Sequence, residues 1–127
     1  MEAALRRVLI HNLSRPEQQP LEVQYCESFA CRLRGLTFRR KLDADDGLLL
    51  VGSRQSRVDT AIHMLFVWFD IGVAWLDANG VVVDTCLARS WRPVYVPKAP
   101  AQHILEMSPD ASERFKIGEQ TRFERLF

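Results

Sequence analysis

The longest apolar run in the chain is Ala61–Leu76, AIHMLFVWFDIGVAWL, whose only ionisable side chains are His63 and Asp70. Its Val, Ile, Phe and Trp content favours strands over a helix, and Gly72 would weaken a helix there. The turn Asp77–Gly80, DANG, closes the run. Asp suits the first turn position and Gly80 the left-handed position of a three-residue hairpin. Ile71–Leu76 is therefore expected to pair antiparallel with Val81–Thr85. On the first of these strands Ile71, Val73 and Trp75 point one way and Gly72, Ala74 and Leu76 the other. Both faces are apolar, so the strand should be covered on both sides. The small Gly72/Ala74 face leaves room for a ligand or for a packed aromatic such as Phe66 or Trp68.

The remaining elements follow from the same periodicities. Arg7–Leu13 and Leu21–Cys26 read as strands separated by the proline-bearing loop SRPEQQP. Ser28 can cap a helix running to about Arg40, with Phe29, Leu33 and Leu36 on one face and Arg32, Arg34, Arg39 and Arg40 over much of the rest. Gly47–Val51 is a short buried strand. Ala88–Ala101 holds Pro93, Pro97 and Pro100 with Trp91 and Tyr95, a long stiffened loop of the kind that carries function or covers a sheet edge. His103–Met107 is a strand, SPDASERF opens a short helix over about 109–115 capped by Ser108, and Gln120–Arg125 returns as a last strand. The expected fold is α+β: a small β-rich single domain over residues 1–127. It would hold a twisted antiparallel sheet or a partly closed barrel, with one main helix at about 28–40 and a short one at about 109–115.

Composition narrows the function classes. At 127 residues, 47% hydrophobic and 26% charged, the chain suits one ordinary globular domain. Seventeen basic against 16 acidic residues argue against a dominant nucleic-acid or membrane footprint. The Ala61–Leu76 run falls short of the roughly 20 residues of a membrane span. The N-terminal sequence has no signal-peptide pattern. Cys26, Cys31 and Cys86 form no C-x-x-C pair, and free thiols in a reducing cytoplasm are the simplest expectation.

Several short motifs occur in an order that resembles domain-of-unknown-function family 192. They are the RGL of Arg34–Leu36, the GLLLV of Gly47–Val51, Ile62–His63, the WLDANGVVVD of Trp75–Asp84, the VPKAPAQHILEM of Val96–Met107, and Ile117–Gly118. The resemblance is strongest over residues 28–124. It implies a small β-rich α+β domain with no established reaction. Many family members carry a signal or lipoprotein leader, which is not seen in this sequence. Members often place Pro-[Ile/Leu]-Asp where this chain has Asp70-Ile71-Gly72, and a methionine and a basic residue where it has Val67 and Trp68. If the family aspartate does chemistry, this chain lacks it unless Asp70 compensates from another face.

Candidate chemistry is sparse. His63 and Asp70 could form an acid–base or metal-binding pair, but in one straight strand seven residues separate them by about 23 Å. The plainer expectation is a hydrogen-bonded, partly buried His63 and a turn carboxylate at Asp70. No spacing matches a zinc site, a nucleophile elbow or a phosphate-cradling loop. A reactive Cys86 would need a cationic neighbour, for which Arg89 is available. Arg32–Lys41 is a basic cluster, expected to be a solvated helix face. Arg89, Trp91, Arg92 and Tyr95 could stack a base or sugar, or simply anchor their loop.

No catalytic residue, metal or cofactor is assigned. The reading is a small soluble cytoplasmic module that binds a small molecule or a protein. The ligand-binding candidates are His63, Asp70, Trp91, Arg92, Tyr95 and Arg34. No membrane partner is expected, nucleic acid is disfavoured, and a monomer is favoured. The alternatives are a hydrolase or metal-assisted enzyme using His63, and a weak nucleic-acid binder using Arg32–Lys41.

Overall fold

The computed structural model describes residues 6–28 and 47–127. Seven strands form one curled, half-barrel sheet. They are β1 (Arg7–Asn12), β2 (Leu21–Cys26), β3 (Leu48–Ser56), β4 (Ile71–Leu76), β5 (Val82–Ala88), β6 (Ala101–Met107) and β7 (Thr121–Arg125), in the spatial order β5-β4-β6-β3-β2-β1-β7. The sheet is mixed where an antiparallel one was expected. β2 and β3 run parallel, with Gln24 opposite Leu48 and Cys26 opposite Leu50. A parallel pair needs a long crossover instead of a tight turn, and the connection from Cys26 to Leu48 is the longest between successive strands. That connection contains the helix expected at 28–40, which from residue 29 onward lies outside the described residues.

Among the described residues the one helix is short, α1 (Pro109–Ser112). Ser108 caps it as expected, its hydroxyl accepting from the Ala111 amide, and Pro109 stands at the first helical position. No helix among the described residues is long and apolar enough to cross a membrane.

The hairpin β4–β5 follows the expected pairing. The Asp77 carbonyl accepts from the Gly80 amide, and the Asp77 amide donates to the Val81 carbonyl. Gly80 takes φ +83°, where a side chain would be strained. All six β4 residues are buried. Ala74 and Leu76 face a core with Val8, Val23, Leu105 and Phe115. Ile71, Val73 and Trp75 face a second core with Ile62, Met64, Val67 and Ile104. The alternation along one strand thus feeds two cores on opposite faces of the sheet.

The strand assignment for Ala61–Leu76 holds only from Ile71 onward. Residues 57–70 are mostly turns, with one isolated bridge between Ile62 and Tyr95. This irregular segment buries Ile62, Met64 and Val67 against the second core. A connecting segment that supplies core residues carries an apolar pattern close to that of a buried strand.

Candidate functional site

Two loops, 57–70 and 89–100, pack against each other above the second core. Backbone hydrogen bonds tie them together. The Met64 amide donates to the Arg92 carbonyl and the Trp91 amide to the Met64 carbonyl, both at 3.0 Å. Ile62 and Tyr95 exchange amide–carbonyl bonds at 2.9 and 2.8 Å. Side chains brace the pair from below. Trp75 Nε1 donates to the Thr60 carbonyl at 2.7 Å. The buried Asp84 carboxylate accepts from the Lys98 amide at 2.9 Å. Such bracing makes the loops a fixed platform.

The sequence candidates divide on this platform. Asp70 accepts from the Ser90 amide at 2.9 Å and pairs with Arg89 at 3.2 Å. The Tyr95 hydroxyl accepts from the Arg89 amide at 2.8 Å. Both are struts of the loop. His63 is exposed, not the partly buried group expected, and no hydrogen bond joins it to Asp70. Arg92 is exposed and Trp91 is 40% exposed. Arg34 and the rest of the Arg32–Lys41 cluster lie outside the described residues.

Phe66 and Trp68 are not the aromatics packed on the Gly72/Ala74 face. They are 45% and 55% exposed at the loop tip, where their rings gather round Trp91. The Phe66 and Trp91 centroids are 5.0 Å apart at 59°, and those of Trp68 and Trp91 are 5.0 Å apart at 73°. Phe66 and Trp91 are also the only non-glycine residues with positive φ among the described ones, at 62° and 67°. For bulky side chains this costs of the order of 1–3 kcal/mol each and persists only where the surroundings impose it. Four aliphatic side chains, Val58, Leu65, Val94 and Val96, are exposed on the same two loops. Together the loops hold seven of the twelve exposed large hydrophobics among the described residues. Sequence reasoning picked out Trp91 and Arg92 but missed Phe66 and Trp68, because aromatic content alone does not separate core from surface, and positive φ at Phe or Trp has no sequence signal.

The Gly72 face holds no ligand space. A Cβ built on Gly72 would lie 2.2 Å from Ser112 Cβ of α1. A cleft of about 620 Å³ opens nearby, lined by residues including Arg15, Cys86, Ser112 and Lys116. Cys86, considered as a reactive thiol, lines it, but none of the ligand-binding candidates His63, Asp70, Trp91, Arg92 and Tyr95 does. Its Arg15 is paired with Glu119 at 2.7 Å. Burial, helped by Asp84, pushes the Cys86 thiol up to about 11, which leaves it protonated. Arg89, the cation considered for Cys86, pairs with Asp70 instead. Cys26 is disulfide-bonded, so the expectation of free thiols fails there. Among the described residues no three His, Cys, Asp or Glu side chains converge to hold a metal.

His103 on β6 is buried, its ring edge-on to Phe123 at 5.5 Å and its Nδ1 without a hydrogen-bond partner. Burial lowers its pKa against a smaller opposing pull from Asp77. The folded state therefore disfavours the imidazolium more than the unfolded chain does. Stability from this group is complete above the ordinary value of 6.5 and is lost as pH falls below it. Urea midpoints measured from pH 8 to pH 5 should fall more steeply for the wild type than for His103→Leu. Equal slopes would refute this linkage.

The chain matches the family model described as Uncharacterized ACR, domain-of-unknown-function family 192, over residues 11–124. A UPF0127 protein of Pyrococcus furiosus is 30% identical over 91% of this chain and 97% of its own length. One from Thermococcus kodakarensis is 38% identical over 67% of this chain, and the match spans about half of that relative, 52%. Two solved structures share the fold. A Sinorhizobium meliloti protein described as a candidate transcription regulator has a TM-score of 0.81 at 17% identity, over 97% of this chain and 98% of its own. A protein of unknown function from Novosphingobium aromaticivorans has a TM-score of 0.73 at 14% identity, over 91% and 83%. The ordered motifs, the half-barrel sheet and the family match agree: this chain belongs to the DUF192 family of uncharacterised UPF0127 proteins.

Proposed function

We propose that this protein is a binding module whose recognition surface is the aromatic tip of the 57–70 and 89–100 loops. The observation that carries this reading is the strained, exposed pair Phe66 and Trp91. Two bulky aromatics held at positive φ and left 45% and 40% exposed are unfavourable for stability alone, and strain of this kind clusters at functional sites. Asp70, Tyr95 and Asp84 hold the platform, while Trp68, Trp91 and Arg92 supply the surface. The alternative of an enzyme using His63 draws no support from the geometry: His63 is exposed, Asp70 is engaged by Arg89 and Ser90, and no group of three metal-ligating side chains forms among the described residues.

A fragment screen followed by amide chemical shifts tests the assignment. Shifts should cluster at residues 62–68 and 89–96. Clustering at the Cys86/Ser112 cleft would overturn it. Trp91→Gly supplies a second readout. Glycine accepts the backbone conformation without strain, so Tm should hold or rise while fragment binding at the tip is lost. A fall in Tm of the size expected for a core aromatic would assign Trp91 a structural role instead.

A further inference from the structure

We propose that the partner of this tip is the surface of an anionic lipid bilayer, an assignment that rests on reading the tip as the recognition surface. The chain's near-neutral charge conceals a local imbalance. The two loops carry four basic side chains, Arg57, Arg89, Arg92 and Lys98, against two acidic ones, Asp59 and Asp70. Both acids are already engaged. Asp59 pairs with Arg54 at 2.7 Å, and Asp70 with Arg89 at 3.2 Å. Arg57 donates to the Pro97 carbonyl, and no ion pair of it occurs among the described residues. No ion pair of the Arg92 or Lys98 side chain occurs among the described residues, and the Asp84 carboxylate accepts from the Lys98 amide. With Arg54 and Asp84, which pair with loop residues, also counted, five basic side chains face three acidic ones. The loop layer keeps a net positive charge, with Arg92 beside Trp91 in the chain, and this complements an anionic surface.

The apolar content separates lipid from the other anionic partners. Single-stranded nucleic acid is gripped by separate ring faces on which successive bases stack. Here Trp68 meets Trp91 at 73°, edge to face, so the rings form one composite wedge. The exposed aliphatics Val58, Leu65, Val94 and Val96 add nothing to stacking. They do fit the boundary between headgroups and acyl chains, where tryptophan rings and flanking cations also settle.

The test uses the full chain with vesicles of phosphatidylcholine containing about one third phosphatidylserine, and with phosphatidylcholine alone. The protein should partition roughly tenfold more strongly onto the anionic vesicles, with an advantage that shrinks as salt rises. Tryptophan emission should shift to the blue, and brominated lipids should quench it in part, because Trp68 and Trp91 are exposed and Trp75 is buried. Leu65→Ser with Trp68→Ser should keep Tm and lose vesicle binding roughly tenfold. Arg92→Glu should weaken binding to anionic vesicles and leave the neutral ones unchanged. Equal partitioning onto both vesicles, or binding insensitive to the Leu65/Trp68 pair, would overturn the lipid assignment. Binding of a single-stranded oligonucleotide, or dimerisation through the tip, without vesicle binding would also overturn it while leaving the tip as the recognition surface. Fragments that fail to map to the loops would overturn that underlying reading instead.

Discussion

Replacing Trp75 by alanine is expected to remove about 3–5 kcal/mol of stability, the range for deleting a large buried aromatic. Trp75 is 1% exposed and lies in the core formed by Ile62, Met64, Val67 and Ile104. Its Nε1 donates to the Thr60 carbonyl at 2.7 Å, so the variant also strips a buried acceptor of its donor. For a chain of 127 residues the loss is a large part of a total of about 6–19 kcal/mol. Denaturant midpoints at constant slope would measure it. The milder Trp75→Phe keeps most of the ring and loses the hydrogen bond. Because that bond roots the 57–70 loop, hydrogen exchange at the Met64 and Val67 amides should quicken more than at β1 or β7. Uniform quickening would mean that Trp75 stabilises the sheet without tethering the loop.

Gly72→Ala is the second large effect expected. The added Cβ would stand 2.2 Å from Ser112 Cβ, 2.6 Å from Ser112 Oγ and 3.1 Å from the Ser108 carbonyl. Ser112 Cβ is fixed to the α1 backbone, and its hydroxyl donates to the Pro109 carbonyl, so no rotamer change relieves the clash. The helix must lift off β4, at a cost of about 1–3 kcal/mol for overpacking. Gly72→Val should cost more. The contact is tested by a double-mutant cycle: Ser112→Gly removes the opposing Cβ and should recover much of the loss caused by Gly72→Ala, giving a favourable coupling. Additive effects, or a Gly72→Ala variant as stable as the wild type, would show that the close approach is absent.

Gly72 also shows how a sequence pattern can be sound and its interpretation open. The small-residue face of β4 called for something to fill it, and a ligand or an aromatic fitted as well as anything local. What fills it is α1, whose cap and proline were readable at Ser108–Pro109 but whose docking site was not. The aromatics left over, Phe66 and Trp68, then had to be accounted for elsewhere, and they stand at the surface with Trp91.

Alternation, turn chemistry and capping determined most of the strands, the DANG hairpin and the start of α1, because those signals act over a few neighbouring residues. The ordered motifs likewise determined the family. Tertiary structure decided the rest. The parallel pairing of β2 with β3 depends on a crossover that no local pattern encodes. The isolated bridge of Ile62 with Tyr95 joins residues 33 positions apart in the chain. Only that long-range pairing separates the buried Met64 and Val67 from the exposed Leu65, Phe66 and Trp68 between and beside them. In a turn, side chains follow neither the two-residue nor the 3.6-residue period, so hydrophobicity along the chain cannot say which of these residues faces water. His63 and Asp70 drew notice as the polar exceptions in an apolar run. The fold made Asp70 a strut and left His63 in solvent, and gave the surface to the aromatics beside them.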